Sequence, residues 1–140
     1  MLFHHHGFTL IELMLALAIS SILMAISYPT YVSYETTAER NRAEIALMQL
    51  SADLESYFDE NGSYADASID ALHAAHLTDG LNYQLQITKA TDTHYEIQAV
   101  PTDVQATRDT ACGTLSLTDA NRRAISGDGD RDACWPGLPH

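Results

Sequence analysis

The sequence predicts an α+β fold in which one long N-terminal helix packs on a small antiparallel sheet. Three observations carry that expectation. A helical pattern runs without a strong stop from about Thr9 to Glu60, apolar in its first half and amphipathic in its second. Short segments of alternating apolar and polar residues follow after position 80. The only two cysteines, Cys112 and Cys134, fall at the start of one such segment and near the end of the chain. A chain of 140 residues is one domain plus whatever the long helix consumes.

The first element is Phe8–Tyr28, FTLIELMLALAISSILMAISY, 21 residues with Glu12 as the single charge. At 1.5 Å per residue such a helix reaches roughly 30 Å, the thickness of a bilayer core. A signal anchor or a cleaved secretory signal is the plain reading. However, no small-residue cleavage site follows the apolar run, which continues as SYPTYVSYETTAER. The run also begins abruptly after Gly7 and carries a carboxylate at its fifth residue. An acid inside a membrane helix is costly and points to function.

Gly7-Phe8-Thr9-Leu10-Ile11-Glu12-Leu13 resembles the class III signal of type IV prepilins and of type II secretion pseudopilins. The resemblance implies a leader, residues 1–7, cut after Gly7 by a prepilin peptidase that then methylates Phe8. It implies a transmembrane and filament-core half of the helix at 8–34, an amphipathic half at 35–60 and a globular part at 61–140. It also implies that Glu12 pairs with the new amine of Phe8 on a neighbouring subunit and so sets register. The physical reason is that opposite charges in a low-dielectric helix bundle stabilise each other, whereas either alone is costly. Glu12 also suits the positive end of the helix dipole, as a plain cap of the N-terminus. Pro29, with Tyr28 and Tyr31, matches the proline that closes the family's membrane segment. One departure stands in the leader: His4, His5 and His6 occupy places where the family usually carries Lys or Arg, which weakens the positive-inside signal.

In the second half of the helix, Leu47, Leu50, Leu54, Tyr57 and Phe58 recur at three- and four-residue intervals and mark the face that covers a sheet. Pro29 is expected to bend or loosen the helix, and Thr36 or Thr37 is placed to cap a restart. Arg40 and Arg42 are expected to pair locally with Glu39 and Glu44, or to form an inter-subunit salt bridge or meet acidic headgroups. Asn61-Gly62 ends the helix; Asn61-Gly62-Ser63 formally matches a glycosylation acceptor but reads first as a turn. A short helix is expected around Ser68–Leu77, with His73 and His76 three apart on one face, where they could share a metal, against the simpler reading of exposed or half-buried histidines. Strands are expected at 81–88, 94–100, 113–118 and 123–126.

Cys112 and Cys134 belong to no CxxC pair; with an export signal they read as one disulfide, closing a loop worth on the order of 3 kcal/mol. Ala111-Cys112-Gly113-Thr114-Leu115-x-Leu117 with Cys134-Trp135 resembles the C-terminal loop of PilE-like minor pilins. Asp128, Asp130 and Asp132 alternate in a pattern that suits calcium, against the simpler reading of a solvated turn; no other cofactor or metal is expected.

Composition bounds the function. Lys and Arg number 7 against 19 Asp and Glu, a net charge of −12. So acidic a surface repels phosphate backbones, and no direct nucleic-acid contact is expected. There is no nucleophile elbow, HExxH or phosphate loop, so an enzyme is not expected; a membrane-anchored periplasmic enzyme domain is the remote alternative. The resemblance implies a type IV pilus subunit, a minor pilin acting in pilus assembly, with twitching motility, adhesion or DNA uptake as family roles. A type II secretion pseudopilin is the alternative. The implied partners are other pilin subunits, the prepilin peptidase, an inner-membrane assembly platform and membrane lipid. The implied location is the inner membrane, single-pass, before assembly and the extracellular pilus after it.

Overall fold

The computed structural model describes residues 7–136. All of the leader except Gly7, including His4, His5 and His6, lies outside them. Two compact units divide the chain, Met1–Glu35 and Thr36–His140.

Helix α1 spans Leu10–Asn61, 52 residues or about 78 Å. It runs through Pro29 and through Thr36 and Thr37, so neither threonine caps a restart. Pro29 removes the N–H that would bond the carbonyl of Ala25. On either side, the Ser21 hydroxyl donates to the Leu17 carbonyl and the Thr30 hydroxyl to the Ile26 carbonyl. In the first unit no residue of 10–31 is buried. The second unit is different. Ala43, Leu47, Leu50 and Leu54 return at three- and four-residue intervals and are fully buried. Each leucine contributes roughly 2 kcal/mol by leaving water. The chain leaves the helix at Gly62, whose φ of +72° suits glycine and whose N–H bonds the Phe58 carbonyl.

The sheet is a four-stranded antiparallel meander in the order β1-β2-β3-β4: Tyr83–Ala90, Tyr95–Pro101, Leu115–Thr118 and Arg123–Ile125. Tyr83, Leu85, Tyr95, Ile97, Ala99, Leu115 and Leu117 point into the core with the α1 leucines. Register follows from that alternation: Ile97 lies opposite Ile87 and Leu117, and Ala99 opposite Leu85 and Leu115. A bulge between Ile87 and Lys89 shifts β1 against β2.

Three local expectations are corrected. The helix expected at Ser68–Leu77 is instead a series of turns ending in a 3-10 turn at Ala74–Thr78, because Asp66 (φ 68°) and His73 (φ 51°) adopt left-handed backbone. Two short helices were not expected: α2, Asp103–Arg108, entered through Asp103 at φ 48°, and α3, Arg131–Cys134. The first strand starts two residues later than expected, at Tyr83.

Cys112 and Cys134 form the disulfide. The intervening loop is also laced to the chain before β3: Ser126, Gly127 and Gly129 N–H groups bond the carbonyls of Thr114, Cys112 and Ala111. A Cβ on Gly127 would sit 2.0 Å from the Ala111 carbonyl oxygen, so only glycine fits. Trp135 closes the end, buried, with its indole N–H on the Ala124 carbonyl and the Arg123 guanidinium 5.9 Å over its ring.

Candidate functional site

Thr9 and Glu12 close the N-terminus of α1 as a reciprocal pair. The Glu12 carboxylate accepts the Thr9 N–H at 2.7 Å and the Thr9 hydroxyl at 2.9 Å, while the Glu12 N–H donates back to Thr9 Oγ1 at 3.3 Å. Thr9 precedes the first helical residue and Glu12 follows three later, which is the capping-box spacing. The expected capping role of Glu12 is thus present. Its carboxylate is exposed within its own chain, so it is sterically free to meet a second cation. Gly7 lies just upstream with open space within 4 Å of the place a Cβ would occupy, among the described residues. Packing in the folded chain therefore gives no reason for glycine there.

From Phe8 to Tyr34 the large apolar side chains stand in solvent, Phe8 81% exposed and Leu17 68%. By length and composition this stretch of α1 is able to cross a membrane. Among the described residues nothing in its own unit covers it.

In the second unit the exposed face of α1 carries Ile45 and Met48. Beside them lies an open groove of about 460 Å³ lined by Arg42, Ile45, Ala46, Gln49, Leu77, Asp79 and Leu81. The expected pairing of Arg42 with Glu39 is present but loose, at 3.4 Å on an exposed guanidinium. The expectation for Arg40 is corrected. Arg40 is buried and grips Asp109, 69 residues away, through one nitrogen at 2.7 and 2.8 Å from the two carboxylate oxygens. Gln105 Nε2 lies 3.0 Å from the Thr36 carbonyl, 3.1 Å from the Tyr83 hydroxyl and 3.3 Å from Asp109 Oδ2, and the Tyr83 hydroxyl donates to that same oxygen. The Asn82 N–H adds a bond to Glu39. This cluster fastens the first two turns of α1 in the unit to β1 and α2. Burial pushes the Tyr83 phenol well above its ordinary value, and the Asp109 charge adds to the push.

The metal candidates are dispersed. Asp130 caps α3 by accepting the Asp132 N–H, and Asp132 holds Arg131 at 3.0 Å. His76 Nδ1 turns onto the His73 carbonyl rather than toward a shared ion. No group of three or more His, Cys, Asp or Glu is placed to hold a metal among the described residues. His94 bonds Asp119 at 2.8 Å and ties the β1–β2 turn to the β3–β4 turn; that bond holds the Asp119 carboxyl below its ordinary value.

A model of the prokaryotic N-terminal methylation motif matches residues 2–28. A second model, described as type IV minor pilin ComP, DNA uptake sequence receptor, matches residues 29–116. The chain belongs to the ComP family of type IV minor pilins. Over 62 residues this pilin is 37% identical to the type IV major pilin protein PilA of Myxococcus xanthus (strain DK1622), a stretch covering 44% of this chain. The chain spans 28% of the length of that relative. Its fold is that of the crystal structure of the non-core minor pilin PilV of Neisseria meningitidis, with a TM-score of 0.54 at 19% identity over 68% of this chain and 90% of that one. The α+β pilin fold, the long helix, the four-stranded sheet and the C-terminal disulfide loop expected from the sequence are all present. The family is one of pilin structural subunits anchored by an apolar N-terminal helix.

The buried Arg40–Asp109–Gln105–Tyr83 cluster was not foreseen. Its one advance signal is that Arg40 falls on the apolar face, one turn before Ala43 and Glu44, where an arginine needs a partner.

Proposed function

We propose that this minor pilin is processed after Gly7, methylated on Phe8 and built into a type IV pilus by lateral packing of residues 8–34, with Glu12 setting register against the Phe8 amine of a neighbour. The observation that carries this reading is the uncovered apolar unit that opens on the Thr9–Glu12 cap. Its side chains need lipid before assembly and sister helices after it. A cap alone would explain a carboxylate at this position; it would not explain why the site lies directly beside the cleavage point, where a new ammonium appears. The inner-membrane platform and the peptidase follow as partners, and the unit from Thr36 onward is displayed outside the cell. The test is intact mass of the protein in sheared surface filaments. A species lacking residues 1–7, carrying one methyl group and two hydrogens fewer than the dithiol, is the expected result. A processed species found only in membranes, never in sheared filaments, transfers the reading to a secretion pseudopilin.

A second reading concerns DNA, the ligand named in the family's description. The net charge of −12 opposes it. In its favour, Arg122 and Arg123 fall just before and at the start of β4, the strand that packs on α3, which carries Arg131. Binding of purified pilin to duplex DNA across a salt series decides between them. Affinity that falls with salt and is lost in Arg122→Ala/Arg123→Ala supports contact by this subunit, and no binding at low salt leaves the filament role alone.

A further inference from the structure

We propose that Tyr31 and Tyr34, with Tyr28 one turn earlier, are a depth anchor whose groove is occupied by the glycerol and headgroup region of the bilayer before the subunit joins a filament. The proposal rests on the membrane-anchored reading above.

The uncharged stretch of α1 extends from Leu13 to Tyr34, bracketed by Glu12 and Glu35. As helix it measures about 33 Å, slightly more than a bilayer core. Its tyrosines are confined to the last two turns. Tyr28, Tyr31 and Tyr34 are 70%, 62% and 74% exposed. Tyr31 and Tyr34 stand beside an open groove of about 530 Å³ lined also by Ile26, Ser27 and Thr30, and Tyr28 lies round the helix from it. Thr30 gives its hydroxyl to the Ile26 carbonyl, which leaves Ser27 as the one further hydroxyl on an otherwise apolar floor. The phenol hydroxyls accept or donate no hydrogen bond among the described residues. The groove is therefore apolar below and polar at its rim.

That chemistry selects the occupant. A second copy that laid its apolar stretch Leu13–Ile26 on the groove would offer only Ser20 and Ser21 as side-chain hydroxyls, and Ser21 is already spent on Leu17. Phenols pressed against such a face would lose water without gaining partners. Lipid supplies both needs at one level: acyl carbon for the ring and phosphate, ester or water for the hydroxyl. The groove is continuous with the apolar span below it, so it lies at the level where that span leaves the acyl chains. The three rings then stop the helix from sinking or rising and set the height at which Glu35 and the exported unit emerge.

The experiment uses the full-length processed pilin in phosphatidylcholine–phosphatidylglycerol vesicles carrying bromine either near the top or near the end of the acyl chain. Tyr31→Trp reports the anchor, and Leu23→Trp, near the middle of the span, is the control. Trp135 is buried in the exported unit and contributes a constant background. The expected result is Leu23→Trp quenched mainly by deep bromine and Tyr31→Trp quenched about twofold more by shallow than by deep bromine, with no change on diluting protein in lipid. Deep quenching of Leu23→Trp with Tyr31→Trp unquenched, or quenched equally by deep bromine, overturns the anchor while leaving the span intact. Shallow quenching of Tyr31→Trp that disappears as protein is concentrated in the vesicle overturns it in favour of a second copy. Absence of quenching in both variants removes the span, and the anchor with it.

Discussion

The two halves of α1 have the same backbone and obey opposite rules. Before Glu35 the helix is apolar all round and its side chains are exposed within the chain. After Thr36 it is apolar on one stripe, and that stripe is buried to completion at Leu47, Leu50 and Leu54. Among the described residues of its own unit the first half finds no cover, whereas the second half is held by the core of its unit. The lesson is that helix length alone reports nothing about where a helix finds its cover. The side-chain pattern does, and it changes within one turn of residue 35.

The comparison breaks most sharply at Glu12. Glu12→Ala is expected to abolish, or reduce at least tenfold, incorporation into sheared filaments while leaving the melting temperature of the unit from Thr36 onward unchanged. Wild-type levels in filaments would refute the register role. The Thr9 cap accounts for only about 1 kcal/mol of local helix stability, which a lipid-covered helix withstands.

Next in size is Arg40→Met, which leaves the buried Asp109 carboxylate without its cation. The expected loss is about 3–5 kcal/mol of unfolding free energy by denaturant titration, with filament register intact in the surviving fraction. Pairing it with Asp109→Leu should restore most of that loss, since neither buried charge then remains; a double variant as unstable as the single one would mean that Gln105 and Tyr83, not the ion pair, hold the cluster. Cys134→Ser follows, at about 3 kcal/mol by chain entropy. Unchanged protease resistance of residues 111–135 would show that the lacing of Gly127 and Gly129 suffices without the bond.

The smallest effect is pH dependence, confined to the second half. Burial and the hydrogen bond to Glu55 push the Tyr64 phenol up to about 12, and burial raises Tyr83 and Tyr95 as well. These folded values lie above the unfolded one near 10. Their contribution is therefore complete below pH 10 and lost as pH rises toward 12 and beyond, because the unfolded chain gives up those protons first. Asp119 works the other way: its lowered value contributes above the ordinary carboxylate range and is lost in acid. A melting curve flat to pH 10 and falling steeply above it, suppressed in part by Tyr64→Phe, is the expected profile.

Much of this was legible in the sequence because the signals are local. Twenty-one residues with one charge read as a span whatever follows. Leu85, Ile97, Leu115 and Leu117 announce strands by alternation alone. The parts that were not legible depend on distance or on rare backbone. Nothing near Arg40 names Asp109. The six residues of α2, DVQATR, offer no apolar stripe, and the segment starts on a left-handed aspartate. The alternation of Asp128, Asp130 and Asp132 fits both calcium spacing and a solvated turn in the sequence. What the sequence hides is the close approach of Gly127 and Gly129 to Ala111, which leaves Asp128 and Asp130 exposed.

The ion pair also dictates an order of events in time. Residues 40 and 109 are separated by 69 positions, most of the exported unit. Closing so long a segment carries a conformational entropy cost that only the intervening sheet offsets. Arg40 is therefore expected to dock after β1 and β2 have paired, an order that φ-values for Arg40 and Ile97 variants would test. A nascent subunit held short of Asp109 would be a helix with a wet, half-covered stripe. Mutations at this pair are thus expected to accelerate unfolding more than they slow folding.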